Sequence, residues 1–314
     1  MKKWIPSTII GICILSLSLV GCAKQATTQK QPDSLVVGIA PKIAAGGSHN
    51  LAIKSDGTVV GWGDNPAFKT NVPAELKGVV AVATGGFHNL AIKSDGAVVA
   101  WGLNDNGQTN VPADLKGVVA VATGLEHSLA LKSDGTVAAW GNNYASQTSV
   151  PEGLKGVVAV AAGHDNSLVL KSDGTVVAWG NTTFGKRDVP EGLKGVVAVA
   201  AGHEHNLALK SDGTVVAWGN NSDGQTNVPS DLKGVVAVAA GVTHSLALKS
   251  DGAVVAWGNN SDGQTNVPSD LKGVVAVAAG VTHSLALKSD GTVVAWGNNS
   301  DGQTNVPSDL KLNR

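Results

Sequence analysis

Residues 234–272 read GVVAVAAGVTHSLALKSDGAVVAWGNNSDGQTNVPSDLK, and the fold follows from this stretch. Residues 235–240 (VVAVAA) are an unbroken apolar, β-prone run stopped by Gly241. Such a run predicts a strand buried on both faces, since alternation would mark one wet face. Residues 245–249 (SLALK) predict a second strand, and Ser250-Asp251-Gly252 a hairpin turn in which glycine supplies positive φ. Residues 253–257 (AVVAW) predict a third strand, closed by Gly258. The polar remainder, with Pro268, returns the chain and allows a short fourth strand in which proline is tolerated at an edge. No helical period with caps occurs, so almost no helix is expected.

The same unit recurs along the chain. Trp62, Trp101, Trp140, Trp179, Trp218, Trp257 and Trp296 are each 39 residues apart, and the Ser-Asp-Gly turns from Gly57 to Gly291 keep the same step. Seven such units fill residues 35–314, which leaves no room for a second domain. One three-stranded sheet cannot close a core, but seven can stack around an axis and bury both faces of each. An open solenoid needs distinct end caps, and here the first and last repeats look like the middle ones. The expectation is an all-β, seven-bladed propeller with about three strands per blade. The Ala-rich first strand, with its small side chains, belongs at the crowded axis. The Gly-x-x-His loops and the loops after Trp-Gly then share one face, the top, and the Ser-Asp-Gly turns share the bottom.

A different kind of segment precedes the repeats. Lys2 and Lys3 stand before an apolar run over 9–20 that is too short to span a bilayer comfortably, and Gly21 and Cys22 follow. Residues 1–21 are expected to be a lipoprotein signal peptide, because Leu19-Val20-Gly21-Cys22 resembles a bacterial lipobox. That resemblance implies cleavage before Cys22, its acylation, and an extracytoplasmic protein held on a bacterial membrane. Residues 22–34 read as the lipidated cysteine and a flexible tether, with the propeller from 35 to 314. Removing Lys2 and Lys3 leaves 21 basic against 24 acidic residues, a charge of −3, with no basic excess to hold nucleic acid. Cys13 leaves with the signal, so no internal disulfide is expected.

The words AAGVTHSLALKSDG, VVAWGNN and GQTNVP are similar to repeats of the regulator-of-chromosome-condensation family. They most resemble its short-repeat bacterial branch, which includes a secreted propeller-type β-lactamase inhibitor. The likeness covers all seven repeats and implies a propeller. As to function it implies several things, because propellers host inhibitors, exchange factors, lectins and enzymes alike.

His49, His88, His127, His205, His244 and His283 share one repeat position, held by Asn166 in the fourth unit. A residue present in nearly every blade reads as structural, here as a donor to a backbone carbonyl, a task Asn can also perform. The Trp residues read as filling between sheets. No Walker loop, zinc-type cysteine cluster or nucleophile elbow occurs, and the Asn-Asn-Ser-Asp-Gly loops lack the ligands of a calcium loop. No cofactor, metal or catalytic residue is therefore expected. Shared zinc on His164-Asp165 and His203-Glu204 would require donors ~2.0–2.2 Å from the ion, hence tight convergence of neighbouring blades.

Departures from the repeat are more informative than the repeat. Every non-Trp aromatic (Phe68, Phe87, Tyr144 and Phe184) falls in a top loop or its extension. Binding is therefore expected at Phe87, Leu103, Leu125, Glu126, Tyr144, His164, Asp165, Phe184, His203 and Glu204. The leading reading is a monomeric, surface-anchored, non-catalytic module that holds a protein or glycan there. The alternatives are a β-lactamase-inhibitor-like protein, for which only Phe87 supplies the aromatic top loop implied by the resemblance, and a propeller enzyme such as a lyase. Nucleotide exchange on a nuclear GTPase does not suit an exported protein.

Overall fold

The structure is a computed structural model that describes residues 42–312. The expected signal segment, Cys22 and the tether lie outside the described residues. Twenty-one strands form seven separate three-stranded antiparallel sheets, each in sequence order. In blade six the strands are Val235–Ala240, His244–Lys249 and Val254–Gly258. Among the described residues helix is limited to the two short 3-10 turns Pro66–Phe68 and Thr183–Gly185. Among the described residues no helix is long and apolar enough to cross a membrane.

The first strands touch one another around the ring and are innermost, as their small side chains require. The ring closes on itself, because Ile43–Ala45 of blade one packs against both Val274–Ala279 and His283–Lys288 of blade seven. The last described residues complete the seal: Leu312 N donates to Gly291 O at 2.9 Å, and Thr292 bridges Lys311.

The middle strand, not the first, is the one buried on both faces. Its two faces differ in size rather than polarity. Leu246 and Leu248 pack against Ala286 and Trp296 of the next blade. Ala247 and Trp257 receive Leu207 and Leu209 of the blade before. Each interface thus fits large side chains onto small ones, and full burial of each leucine contributes about 1.5–3 kcal/mol. The first strand is only partly buried because its inner side faces the axis. A bulge at its second residue, between Val235 and Ala237 in blade six, turns one valine outward. Val80, Val119, Val158, Val236 and Val275 are consequently exposed.

Among the described residues no fourth strand forms. The segment after each third strand folds into turns, such as Val267 N to Thr265 O at 2.9 Å and Leu271 N to Pro268 O at 3.0 Å. Proline has no N–H to offer a ladder. The segment works instead as a strap to the following blade. Gln225 O accepts both Trp257 Nε1 and Ser245 Oγ at 2.9 Å. Gln303 O does the same for Trp62 Nε1 and Asn50 Nδ2 of blade one, at 3.1 and 2.8 Å.

These straps correct the role expected of the histidines. The strap carbonyls are already taken, so each Nε2 meets a side chain of the next blade. His88 reaches Ser128 Oγ at 2.8 Å, His244 reaches Ser284 Oγ at 2.9 Å, and His283 closes the circle on Asn50 Oδ1 at 2.6 Å. Asn166 Nδ2 does the equivalent with Asn206 Oδ1 at 3.2 Å. The serines are fully buried in these pairs, so a His–Ser contact here offers no nucleophile to a substrate.

Candidate binding face

The top face is built in three rings. Innermost are the glycines that end the first strands. A Cβ on Gly124 would collide with Gly163 O of the next blade and with the His127 ring, and the same holds around the circle. Glycine is required there by this close approach. The residues just after these glycines surround an axial depression of about 200 Å³ lined by Gly86, Leu125, His164, His203, Val242 and Val281 among others.

The next ring holds Phe87, Glu126, Asp165 and Glu204. Backbone bonds zip it to the loops after Trp-Gly: Leu103 N to Phe87 O at 2.9 Å, Asn181 N to Asp165 O at 3.0 Å, Asn220 N to Glu204 O at 2.8 Å. The carboxylates are hydrogen-bonded and only half exposed. Glu126 accepts from Asn106 and Asn142 at 3.0 Å, and Glu204 from Asn220 at 2.6 Å. His164 and His203, which the requirement of tight convergence had set apart, do converge. Their ring centroids lie 3.8 Å apart at an interplanar angle of 66°. Burial, and then the neighbouring His164, push the His203 pKa down to about 4.

The outer ring presents Phe68, Tyr144 and Phe184, and Phe87 of the ring inside it is the fourth exposed aromatic. Tyr144 is 93% exposed, Phe68 71%, Phe184 52% and Phe87 38%. Phe68 and Phe184 also adopt left-handed backbone, with φ of 57° and 59°. For a bulky residue such a backbone costs of order 1–3 kcal/mol, and rings left more than half exposed recover only part of that through burial. Folding alone does not account for aromatic rings in these places. All ten expected binding residues therefore sit on one face. They do not form one contiguous patch: Leu125, His164 and His203 line the depression, and Tyr144 and Phe184 stand at the periphery.

Sequence reasoning missed Lys69 and Lys186. Both take the strap position that is Gln108, Gln147, Gln225, Gln264 and Gln303 elsewhere, and both are 3% exposed. Lys186 Nζ lies 2.6 Å from Asp165 Oδ1, and Lys69 Nζ 3.4 Å from Asp64 Oδ2 and 5.7 Å from the Phe87 ring centroid. Burial pushes the Asp165 carboxyl up, but adjacent His164 and Lys186 outweigh it and hold the group well below the usual carboxylate range. An alignment of the seven repeats would have exposed both lysines as departures from glutamine.

The regulator of chromosome condensation (RCC1) repeat model matches seven times, at 42–67, 79–108, 118–147, 157–186, 196–225, 235–264 and 274–303, more than half of the chain. The chain belongs to this family. Several solved structures share its fold. Prp20p from Saccharomyces cerevisiae, described with its binding properties to Gsp1p and histones, is 24% identical with a TM-score of 0.66, over 80% of this chain and 84% of that one. Yeast RCC1 (Prp20) bound to Kap60 is 22% identical with a TM-score of 0.70, over 95% and 90%. The CRINKLY WD40 ectodomain of the Arabidopsis thaliana receptor kinase ACR4 is 20% identical with a TM-score of 0.65, over 82% and 97%. At these identities the likeness is one of fold. No curated protein matches the chain in sequence.

Proposed function

We propose that this chain is a non-catalytic binding module that takes a protein partner on the top loops of blades two to five and is held on a membrane through lipid on Cys22. One observation carries the reading of the face: every non-Trp aromatic is solvent-exposed on the top, two of them in left-handed backbone. Exposed aromatic anchors usually dominate an interface. The bottom Ser-Asp-Gly turns repeat identically, so they offer an asymmetric partner little to distinguish. The yeast relatives named above are described as binding proteins, which fits a propeller used for recognition.

Phe87→Ala together with Tyr144→Ala is expected to weaken capture at least tenfold, about 1.4 kcal/mol or more, with the melting temperature nearly unchanged. Capture would be scored against a panel of surface proteins and envelope glycans. Asp251→Asn with Asp290→Asn, on the bottom, should leave it intact. Loss of capture in the bottom variant alone would place the working face on the opposite side. The anchor is tested separately: Cys22→Ala should move the protein from the membrane fraction to the soluble one or leave the signal uncleaved. A variant still processed and membrane-bound as before would refute lipidation at Cys22.

A further inference from the structure

We infer that the top face takes a Lys- and Arg-rich polypeptide segment, an inference that rests on the reading of the top as the binding face. The chain as a whole is nearly neutral, but its charge divides between the two faces of the ring. Among the described residues the top loops hold nine carboxylates and three cations, a formal charge of −6. The bottom holds fourteen carboxylates and fifteen lysines, a formal charge of +1. On the bottom the signs are interleaved, and six lysines pair with the aspartate of their own turn at 3.1–3.4 Å. On the top two of the three cations are spent internally, Lys69 on Asp64 and Lys186 on Asp165, and Arg187 is offset by Asp188 beside it. Among the described residues no lysine or arginine pairs with Asp105, Glu126, Glu204, Asp223, Asp262 or Asp301. Neutral amides bond four of them instead: Asn106 and Asn142 donate to Glu126 at 3.0 Å, Asn220 to Glu204 at 2.6 Å, and Asn259 and Asn298 to Asp223 and Asp262 at 2.7 Å. These bonds fix the carboxylates and leave their charge uncancelled. One sign of charge spread over a face steers and selects a partner of the other sign.

The aromatics of the same face point to the same partner independently. A cation within about 6 Å of a ring centroid is attracted by the negative face of the ring. This face already makes that contact, with Lys69 Nζ 5.7 Å from the Phe87 centroid. Phe68, Tyr144 and Phe184 offer further exposed rings. Tyr144 N donates to Asn142 Oδ1 at 2.9 Å, and the same asparagine donates to Glu126, so ring and carboxylate belong to one network. An unused donor favours a polypeptide over a small cation. Gln147, Gln264 and Gln303 Nε2 donate to Asn142, Asn259 and Asn298 of the top loops at 3.1–3.2 Å. In blade two Leu103 stands at the place of that asparagine, and the fully buried Gln108 Nε2 has no hydrogen-bond partner. A main-chain carbonyl entering beside Leu103 supplies the acceptor, in the same loop as Asp105.

The probe is a fluorescein-labelled peptide of about ten lysines, titrated by anisotropy against the full chain in a neutral detergent, with a glutamate peptide of the same length beside it. The lysine peptide is expected to bind, more weakly as salt rises from about 50 to 200 mM, and the glutamate peptide is not. Asp105→Asn with Glu126→Gln and Glu204→Gln should weaken binding at least tenfold. Asp114→Asn with Glu152→Gln and Asp231→Asn makes the same change of net charge on the bottom and should leave binding unchanged. Melting curves will show that both triple variants fold, and Asp105→Asn with Asp301→Asn, at exposed positions, gives the same direction with less disturbance. Tyr144→Leu keeps an apolar side chain, removes the π face and should cost about two- to fivefold. No binding of the lysine peptide, or equal weakening by the top and bottom variants, would overturn the inference. A panel protein lost in Phe87→Ala with Tyr144→Ala but captured normally by the top charge variant would overturn it as well and leave the binding face standing.

Discussion

Taking the pH from 7 to 5 is expected to unfold the propeller in one cooperative step, followed by tryptophan fluorescence and circular dichroism. Six imidazoles are fully buried between blades. Burial disfavours the charged ring and holds the pKa at about 4 for His49, His127 and His244 and at about 3 for His88, His205 and His283. In the unfolded chain each titrates near 6.5. Between these values the unfolded state binds more protons than the folded one, so stability falls as pH falls below 6.5. Each histidine contributes up to about 1.4 kcal/mol per pH unit, and six together about 8. A domain with the usual ~5–15 kcal/mol of stability cannot survive much more than one such unit. Above pH 7 both states carry neutral rings, and these groups add no pH dependence. Asparagine is already accepted at this position as Asn166. Three His→Asn replacements should therefore halve the slope and lower the acid midpoint, and an unchanged midpoint would refute the mechanism.

Asp165→Asn is expected to cost about 3 kcal/mol, because it leaves the buried Lys186 ammonium without its counter-charge. For a chain of this size that is a fall of roughly 6–12 °C in melting temperature. Adding Lys186→Gln should restore most of the loss, since five other blades hold glutamine there with its carbonyl in the same strap. The single and double variants would be compared in thermal and urea melts. A double variant no more stable than Asp165→Asn would mean that the ion pair is not what the carboxylate supports. Asp64→Asn should cost less, because its bond to Lys69 is longer, 3.4 Å, and Asp64 is more exposed, 28% against 19% for Asp165.

The candidate site was legible to the extent that it departs from the repeat. Phe87, Tyr144, Phe184, Glu126, Asp165 and Glu204 could be placed on the top face because strand direction alone assigns a loop to a face. Their spread could not be read in the same way. Whether Tyr144 stands at the periphery while His164 turns to the axis depends on where each loop bends, and the repeat leaves those positions free. Lys69 and Lys186 were hidden because a buried lysine looks like an exposed one until its neighbours are known.

The 39-residue step determined the number of blades, the three strands in each and the closed ring, because seven copies of one unit have seven copies of one way to bury their apolar faces. Tertiary structure alone decided how the copies hold each other. The middle strand became the fully buried one because the axis leaves the inner strand open. The strap carbonyls took the Trp and the Ser or Asn of the following blade, and each histidine Nε2 met a side chain of the next blade where a backbone carbonyl had been expected. His164 and His203 met because the glycines beside them let adjacent backbones approach. That distance is set by packing around the whole ring, and no single repeat contains it.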